Sequence, residues 1–295
     1  MPAPSSETTA IAPVPSGLSL LARRIAQDPL GLLGLAIVLL IVIIGVLAPW
    51  LTPFDPFKIN IADRLQPPNA VHWLGTDQIG RDIFSRIILG TRIALNVGIS
   101  TVAIALVLGL ALGLIAGYGP RWLDNLLVLI FDSLYSFPSV ILGLLVATLL
   151  GPSLMTLMLV VIVIQTPGYA RLTRTATLAR KSSEYIEAIR SLGASPLRVV
   201  GLHVLPNIIG PLFIIASMDI PAVVALEAGL TLLGMGIPPP APSWGRTILE
   251  GYLLIREAPW IVIAGGIPLI LTTLGFTFLG EALRDMIDPK LRRVV

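Results

Sequence analysis

Six long apolar runs, separated by polar segments, set the limits on how this 295-residue chain can fold. Most of them approach or exceed the roughly 20 residues that an α-helix needs to cross a bilayer. Charged residues make up 13% of the sequence, about half the share found in an ordinary soluble domain. We therefore predict an all-α, polytopic membrane protein with six transmembrane helices. The runs lie at residues 30–47, 93–116, 126–150, 154–168, 208–233 and 261–279.

The first run predicts a retained helix and not a cleaved signal peptide. It is long enough to span a bilayer, and Pro49 stands where a small-residue cleavage site would be needed. Residues 1–17 are rich in Pro and Ser, which favours a disordered tail. The predicted segments are an N-terminal tail at 1–29, the first transmembrane helix at 30–50, an external loop at 51–92, a five-helix core at 93–282 with a proline-rich outer loop at 234–259, and a C-terminal tail at 283–295.

The distribution of Lys and Arg predicts the orientation. Six spans place both termini on one side of the membrane, and the polar segment between the fourth and fifth spans lies on that side too. Thirteen Lys and Arg residues fall on this side and seven on the other. Because basic residues favour the cytoplasmic side, we expect both termini to be cytoplasmic. The same distribution explains the net charge of +3, and we expect no nucleic-acid partner.

The polar segment at residues 170–207, called here the polar island, predicts two short helices joined by a corner. Apolar residues recur at intervals of three and four residues over 175–192, which is typical of an amphipathic helix. Gly193 suits the left-handed position that ends a helix. Ser195 is a candidate N-cap with Pro196 at the first helical position, and Leu197, Val200 and Val204 are predicted to share one face. Pro206 should end the second helix, and Asn207 should cap the next. The basic residues of the polar island are Arg171, Arg174, Arg180, Lys181, Arg190 and Arg198.

This spacing leaves two interpretations open. One is a docking surface for another protein. The other is an amphipathic helix pair that lies on the membrane surface or packs beneath its own bundle.

The residues themselves resemble a known family. The polar island contains Glu187-Ala188-Ile189, then Gly193, then His203-Val204-Leu205-Pro206. This resembles the Glu-Ala-Ala, Gly and Ile-x-Leu-Pro pattern in the cytoplasmic loop of the inner-membrane permease subunits of bacterial ABC importers. Ile189 and His203 depart from the pattern. The ending His203-Val204-Leu205-Pro206 resembles the one common in the dipeptide, oligopeptide and nickel branch of this family. Segments 72–86, 227–251 and 279–292 resemble the same branch.

The resemblance implies a type I ABC importer permease with coupling helices between its fourth and fifth transmembrane helices. It implies a second homologous permease as heterodimer partner, two cytoplasmic ATP-binding subunits and an extracytoplasmic substrate-binding protein, all in a bacterial inner membrane. ATP and Mg²⁺ would bind to the ATPase subunits, so we expect no cofactor on this chain. The residues implied to couple to the ATPase are Glu184, Glu187, Ala188, Gly193, Ala194, Pro196, Arg198, Leu205 and Pro206.

Two acidic residues in the fifth run are candidates for the translocation pathway. A charged group at the centre of a membrane helix costs about 2.5–3.5 kcal/mol, so Asp219 and Glu227 need partners or water. They lie roughly 80° apart around a helix, within one broad face. Either acid could instead bond to a neighbouring helix and stabilise the bundle, and Asp132 in the third run is interpreted as structural. An acidic lining would suit the amino group of a peptide or a metal cation. The predicted cargo is a dipeptide or oligopeptide, with a nickel chelate or a haem-like molecule as the alternative.

Two other classes of protein are weighed against the importer. An ion-coupled secondary transporter would need no organised cytoplasmic docking loop. A membrane enzyme is disfavoured because the sequence has two histidines, no HExxH motif, no cysteine and no paired carboxylates at a useful spacing. We therefore predict no catalytic residue and no metal site. The sequence also lacks the G-x-x-x-x-G-K-[ST] phosphate loop, so ATP would be handled by a partner.

Overall fold

The computed structural model describes residues 28–287, so the predicted disordered tail at 1–17 and most of the C-terminal tail lie outside the described residues. The described residues are largely helical. In chain order the helices are α1 (Pro29–Leu51), α2 (Ile83–Tyr118), α3 (Arg121–Tyr135), α4 (Ser139–Leu150), α5 (Leu154–Lys181), α6 (Glu184–Ser191), α7 (Pro196–Val199), α8 (Leu205–Leu232), α9 (Trp244–Leu253) and α10 (Pro259–Ile287).

Within residues 28–287, five helical segments are long and apolar enough to cross a membrane, and a bent pair makes a sixth if it is counted as one span. The bent pair is α3 and α4, which meet at 89°. The prediction of one continuous span at 126–150 is therefore wrong. Pro138 precedes α4, and a proline both lacks the N–H of a helical bond and disfavours helical geometry at the residue before it.

Two helices extend well beyond the apolar runs that predicted them. Helix α2 begins at Ile83, ten residues before the predicted start, because the Asp82 carboxylate caps it by accepting from the Ser85 N–H. Helix α5 continues through Pro167 to Lys181, and a new helix starts only at Glu184. The predicted end of the fourth span at residue 168 and the predicted start of an island helix at residue 175 are both wrong.

The second half of the polar island joins the next span without a break. Helix α7, a π-helical turn at Val200–Val204 and α8 form one continuous helical segment. In the π turn the Leu205 N–H donates to the Val200 carbonyl, five residues back. This wider turn relieves the clash that Pro206 would cause in a regular α-helix. Pro206 therefore does not end the helix, and Asn207 is no cap: its amide donates to the His203 carbonyl at 2.7 Å.

The predicted outer loop at 234–259 contains a helix that the hydrophobic pattern missed. Helix α9 is only ten residues long, and its sequence is mixed in polarity. The Ser243 hydroxyl caps it by accepting from the Arg246 N–H. A serine at this position is a local signal for the start of a helix.

Helices α2 and α5 pack at backbone contact distance through a row of glycines, Gly109, Gly113 and Gly117. A Cβ on Gly113 would lie 2.4 Å from the Ala170 carbonyl oxygen, and one on Gly117 would lie 2.8 Å from the Thr177 Cβ. Small residues spaced by four on facing helices allow this approach in membranes. The seam sets the position of α5, which leads directly into α6.

We expect Gly113→Ala to destabilise the protein by about 1–3 kcal/mol, because the added methyl group meets backbone and cannot be absorbed by a side-chain rotation. Thermal unfolding in detergent measures this. Gly210→Ala is the matched control, since a Cβ on Gly210 in α8 meets nothing within 4 Å. Alanine favours a helix more than glycine does, so the control should be neutral or stabilising. Equal melting temperatures for the two variants would contradict the packing argument.

Candidate functional site

The corner of the polar island is a Schellman motif followed by an N-cap. Gly193 has φ +85°, its N–H donates to the Arg190 carbonyl, and the Ala194 N–H donates to the Ile189 carbonyl. The Ser195 hydroxyl then accepts from the Arg198 N–H at the start of α7. The sequence prediction of a glycine corner and a Ser-Pro helix start is confirmed in its local geometry.

The base of the corner is anchored in the protein core. Ile186 of α6, Val199 of α7 and Val204 of the π turn are fully buried and belong to one apolar cluster with α2, α5 and α8. Leu197 was predicted to share a face with Val204, but it is exposed, so that prediction is wrong. The regular helix ends at Val199, and the π turn after it changes the register of the buried face.

The tip of the corner is exposed and apolar. Leu192 is 88% exposed and Leu197 is 87% exposed, one on each side of Gly193. A Cβ on Gly193 would meet nothing within 4 Å, so this glycine is required by its backbone angle and not by crowding. Of the residues implied by the resemblance, Ala194 and Leu205 are half-buried, and the exposed ones are Glu184, Glu187, Ala188, Gly193, Pro196, Arg198 and Pro206.

Three of the six basic residues of the polar island point back into the chain. Arg174 forms a two-pronged ion pair with Asp124 of α3, with Nε–Oδ1 and Nη2–Oδ2 distances of 2.5 and 2.8 Å. Arg171 pairs with Asp132 of α3. Lys181 donates to the carbonyls of Gly117 and Tyr118 at the end of α2. The polar island is therefore no uniform docking surface, and its exposed cations are Arg180, Arg190 and Arg198.

The two acids of α8 have different surroundings. Asp219 is half-buried and accepts a 2.7 Å hydrogen bond from the Tyr169 hydroxyl of α5. Glu227 is buried and accepts from Thr231 on its own helix at 2.9 Å. Asp219 thus links α8 to α5 and is only half-buried.

At the other end of α2 lies an ionic cluster that the sequence analysis missed; four of its five side chains are buried, and Arg246 is half-buried. We call it the acid–arginine cluster: Asp77, Arg81, Arg86, Arg246 and Glu250. Arg81 Nε lies 2.6 Å from Asp77 Oδ2, and Glu250 accepts from Arg81 at 3.4 Å and from Arg246 at 2.8 Å. Asp77 and Arg81 are four residues apart, which was a usable signal. Arg81 and Glu250 are 169 residues apart, and no local pattern pairs them.

A second set of contacts fixes the loop before α2. The His72 Nδ1 lies 2.9 Å from Asp82 Oδ1, and the other Asp82 oxygen accepts from both the N–H and the hydroxyl of Ser85. Ser85 in turn accepts from the Phe54 N–H at 3.2 Å. Together with the acid–arginine cluster, these bonds hold the loop and α9 against the start of α2. Within residues 28–287 no group of three His, Asp or Glu side chains could hold a metal ion.

Comparison with protein families gives two matches. Residues 109–293 match the family described as binding-protein-dependent transport system inner membrane component. Residues 18–68 match the N-terminal transmembrane domain of oligopeptide transport permease C. The first match covers more than half of the chain, including the whole polar island.

Curated relatives match over nearly the full length. The dipeptide transport system permease protein of Alkalihalophilus pseudofirmus is 36% identical over 291 residues, which cover 99% of this chain and 94% of that protein. The glutathione transport system permease protein of Pectobacterium atrosepticum is 37% identical over 271 residues, covering 92% and 90%. A probable D,D-dipeptide transport system permease protein of Escherichia coli is 35% identical over 263 residues, covering 89% and 88%.

A solved structure shares the fold. A chain of the MetNI methionine ABC transporter, in an inward facing conformation, superposes with a TM-score of 0.57 at 19% sequence identity. The superposition covers 69% of this chain and 97% of that chain. At this identity the likeness concerns the fold alone.

We expect Glu250→Gln to destabilise the protein by about 3–5 kcal/mol, the usual cost of removing one partner from a buried ion pair. The loss leaves Arg81, Arg86 and Arg246 with one carboxylate between them. Chemical or thermal unfolding in detergent measures the effect. Glu257→Gln, which removes an exposed carboxylate just after α9, is the control and should change little. If both variants unfolded like the wild type, the cluster would have no part in stability.

Proposed function

This chain belongs to the family of binding-protein-dependent transport system inner membrane components, and we propose that it is the permease subunit of an ATP-driven importer of short peptides. The family match and the shared fold support a permease of the type I ABC importer architecture. The observation that carries the proposal is the corner of the polar island, which has a buried base and an exposed apolar tip.

The corner has the properties of a docking element for a cytoplasmic ATPase subunit. Leu192 and Leu197 present apolar surface that would be costly to leave in water, and the charged side chains of Glu184, Glu187 and Arg198 lie around it. An apolar centre with a polar rim is the usual anatomy of a protein interface. Ala188 is exposed and small, so a partner can approach α6 closely.

The buried base supports a transmission role. Because Ile186, Val199 and Val204 pack in the apolar core, a displacement of the corner moves α5 and α8 with it. Closure of two ATPase subunits would then be passed to the membrane helices as a rigid-body movement, which changes access from one side to the other. The alternative interpretation, in which the polar island is a helix pair lying on the membrane surface, does not require an exposed tip on a buried base. The docking interpretation requires both.

We assign the remaining partners and the location from family membership. This permease pairs with a second homologous permease, and an extracytoplasmic binding protein delivers the cargo. It lies in a bacterial inner membrane with both termini and the polar island in the cytoplasm. Since this sequence has no phosphate-binding loop, we place ATP and Mg²⁺ on the ATPase subunits, and we assign no catalytic residue to this chain. An importer driven by an ion gradient alone is the rival from another class.

Peptide cargo is proposed from the relatives and from Asp219. The relatives are named as permeases for a dipeptide, a D,D-dipeptide and glutathione, all of which are small peptides. The half-buried Asp219 carboxylate offers an acceptor to the amino group of such a peptide. A nickel chelate or a haem-like cargo is the alternative on the same scaffold. Glu227 is bonded within its own helix and buried, which favours a structural role for it.

We expect Gly193→Ala to lower uptake per ATP hydrolysed by about 5- to 30-fold while the complex still assembles, because a left-handed alanine costs about 1–2 kcal/mol. Reconstituted vesicles that contain both permeases and the ATPase subunits allow uptake and hydrolysis to be measured together.

Two matched variants test whether the backbone angle is the cause. Gly193→Asn should retain most of the coupling, since asparagine tolerates this conformation. Gly201→Ala places the same methyl group nearby, where the backbone is helical and the added Cβ meets nothing within 4 Å. Unchanged coupling in Gly193→Ala would refute the assigned role of the corner.

We expect Asp219→Asn to raise the KM for a dipeptide with a free amino terminus by roughly tenfold or more, the effect of losing one charge-assisted hydrogen bond of about 1.5–3 kcal/mol. The N-acetylated dipeptide should show no such change. Tyr169→Phe is the control, because it removes the bond between the helices but keeps the carboxylate. An identical substrate profile for Asp219→Asn and the wild type would remove Asp219 from the pathway.

A further inference from the structure

A cavity of about 350 Å³ lies between α5 and α8, and the polar island contributes five of its nine lining residues. Seven of its nine lining residues are apolar, among them Leu172 and Ala176 of α5 and Leu212 and Ile215 of α8. Arg180 and Asn207 are the two polar residues, and both lie towards the polar-island ends of their helices. The cavity is therefore apolar along the helices and polar at one end.

Arg180 differs from the other cations at the end of α5. Arg171, Arg174 and Lys181 bond to α2 and α3, which lie on another face of the helix. Arg180 follows Leu172 and Ala176 at intervals of four, which places it on the cavity face. It is exposed there, so its guanidinium is accessible to an anion.

The facing helix adds a hydrogen-bond acceptor at the same end of the cavity. Pro211 lines the cavity and has no N–H, so the Asn207 carbonyl lacks the donor that a helix would normally supply. The Asn207 side-chain amide is engaged with His203. Arg180 and Asn207, whose carbonyl receives no hydrogen bond from residue 211, thus line the same end of an apolar cavity.

We propose that this cavity binds an anionic phospholipid, with an acyl chain between α5 and α8 and the phosphate on Arg180. The headgroup hydroxyl of phosphatidylglycerol would donate to the Asn207 carbonyl. Apolar side chains and a cation at a helix end are the chemistry that recognises such a lipid. The inference rests on the proposed function in one respect, the leaflet that supplies the lipid. That leaflet is the cytoplasmic one if the polar island is cytoplasmic. A lipid here would contact both helices that flank the corner.

Native mass spectrometry of the detergent-purified transporter complex tests the proposal. The probes are phosphatidylglycerol and phosphatidylcholine with the same acyl chains. We expect the wild type to retain phosphatidylglycerol in preference, and Arg180→Gln to reduce its retention by about fivefold, the effect of one cation beside an anionic headgroup. Arg190→Gln removes an exposed cation of α6 outside the cavity and should retain the lipid. Ala176→Phe, which fills the cavity, should reduce the retention of both lipids.

Two outcomes would overturn the proposal. One is wild-type retention of phosphatidylglycerol by Arg180→Gln. The other is a photo-reactive group at Ala179, which also lines the cavity, labelling the second permease and not the lipid. Arg180 is exposed, so its substitution leaves the fold intact. If Ala176→Phe does not assemble, Arg180→Gln therefore still tests the proposal. Lipid retention is measured without any transport assay. A complex that retains the lipid but imports no peptide would therefore contradict the proposed function and not the lipid site.

Discussion

The glycine seam between α2 and α5 is the contact on which the rest of the structure depends. Gly109, Gly113 and Gly117 bring the two backbones together, and α5 leads from this seam directly into the corner. Helix α2 is 36 residues long, which corresponds to about 54 Å. Its first turn carries Arg86 of the acid–arginine cluster, and its last turn packs against Thr177 of the polar island. A single rigid helix thus connects the two polar ends of the protein.

The two ends are built in opposite ways, and this difference fits their proposed roles. The acid–arginine cluster pairs its charges, so that α9 and the loop before α2 form one fixed unit. The corner buries its apolar base and exposes Leu192 and Leu197 at its tip. A surface that awaits a partner needs accessible apolar area, whereas a scaffold needs satisfied charges. In a permease of this family, an exposed corner on one side and a rigid frame on the other would let an ATPase move the helices without unfolding the loops.

The sequence predicted what local chemistry determines. Gly193 at positive φ, Ser195 as a cap and Pro196 at the start of α7 all follow from short-range rules, and five of the six apolar runs located helices long enough to span. Errors arose where a distant contact overrides composition. Helix α5 continues to Lys181 because Arg171, Arg174 and Lys181 bond to α2 and α3, which no window of sequence shows. The pairing of Arg81 with Glu250 across 169 residues was invisible for the same reason, and the π turn before Pro206 required a backbone geometry that periodicity does not encode.

Site-directed cross-linking tests the docking of the ATPase most directly. The chain contains no cysteine, so Leu192→Cys introduces a unique thiol at the tip of the corner. In the assembled complex a thiol-reactive photo-cross-linker on this residue should join the permease to an ATPase subunit. The same group at Leu253, a leucine at the end of α9 that is also exposed (72%, against 88% for Leu192), should not. A corner that cross-links only to lipid, or an ATPase subunit that cross-links equally at both positions, would contradict docking at the corner.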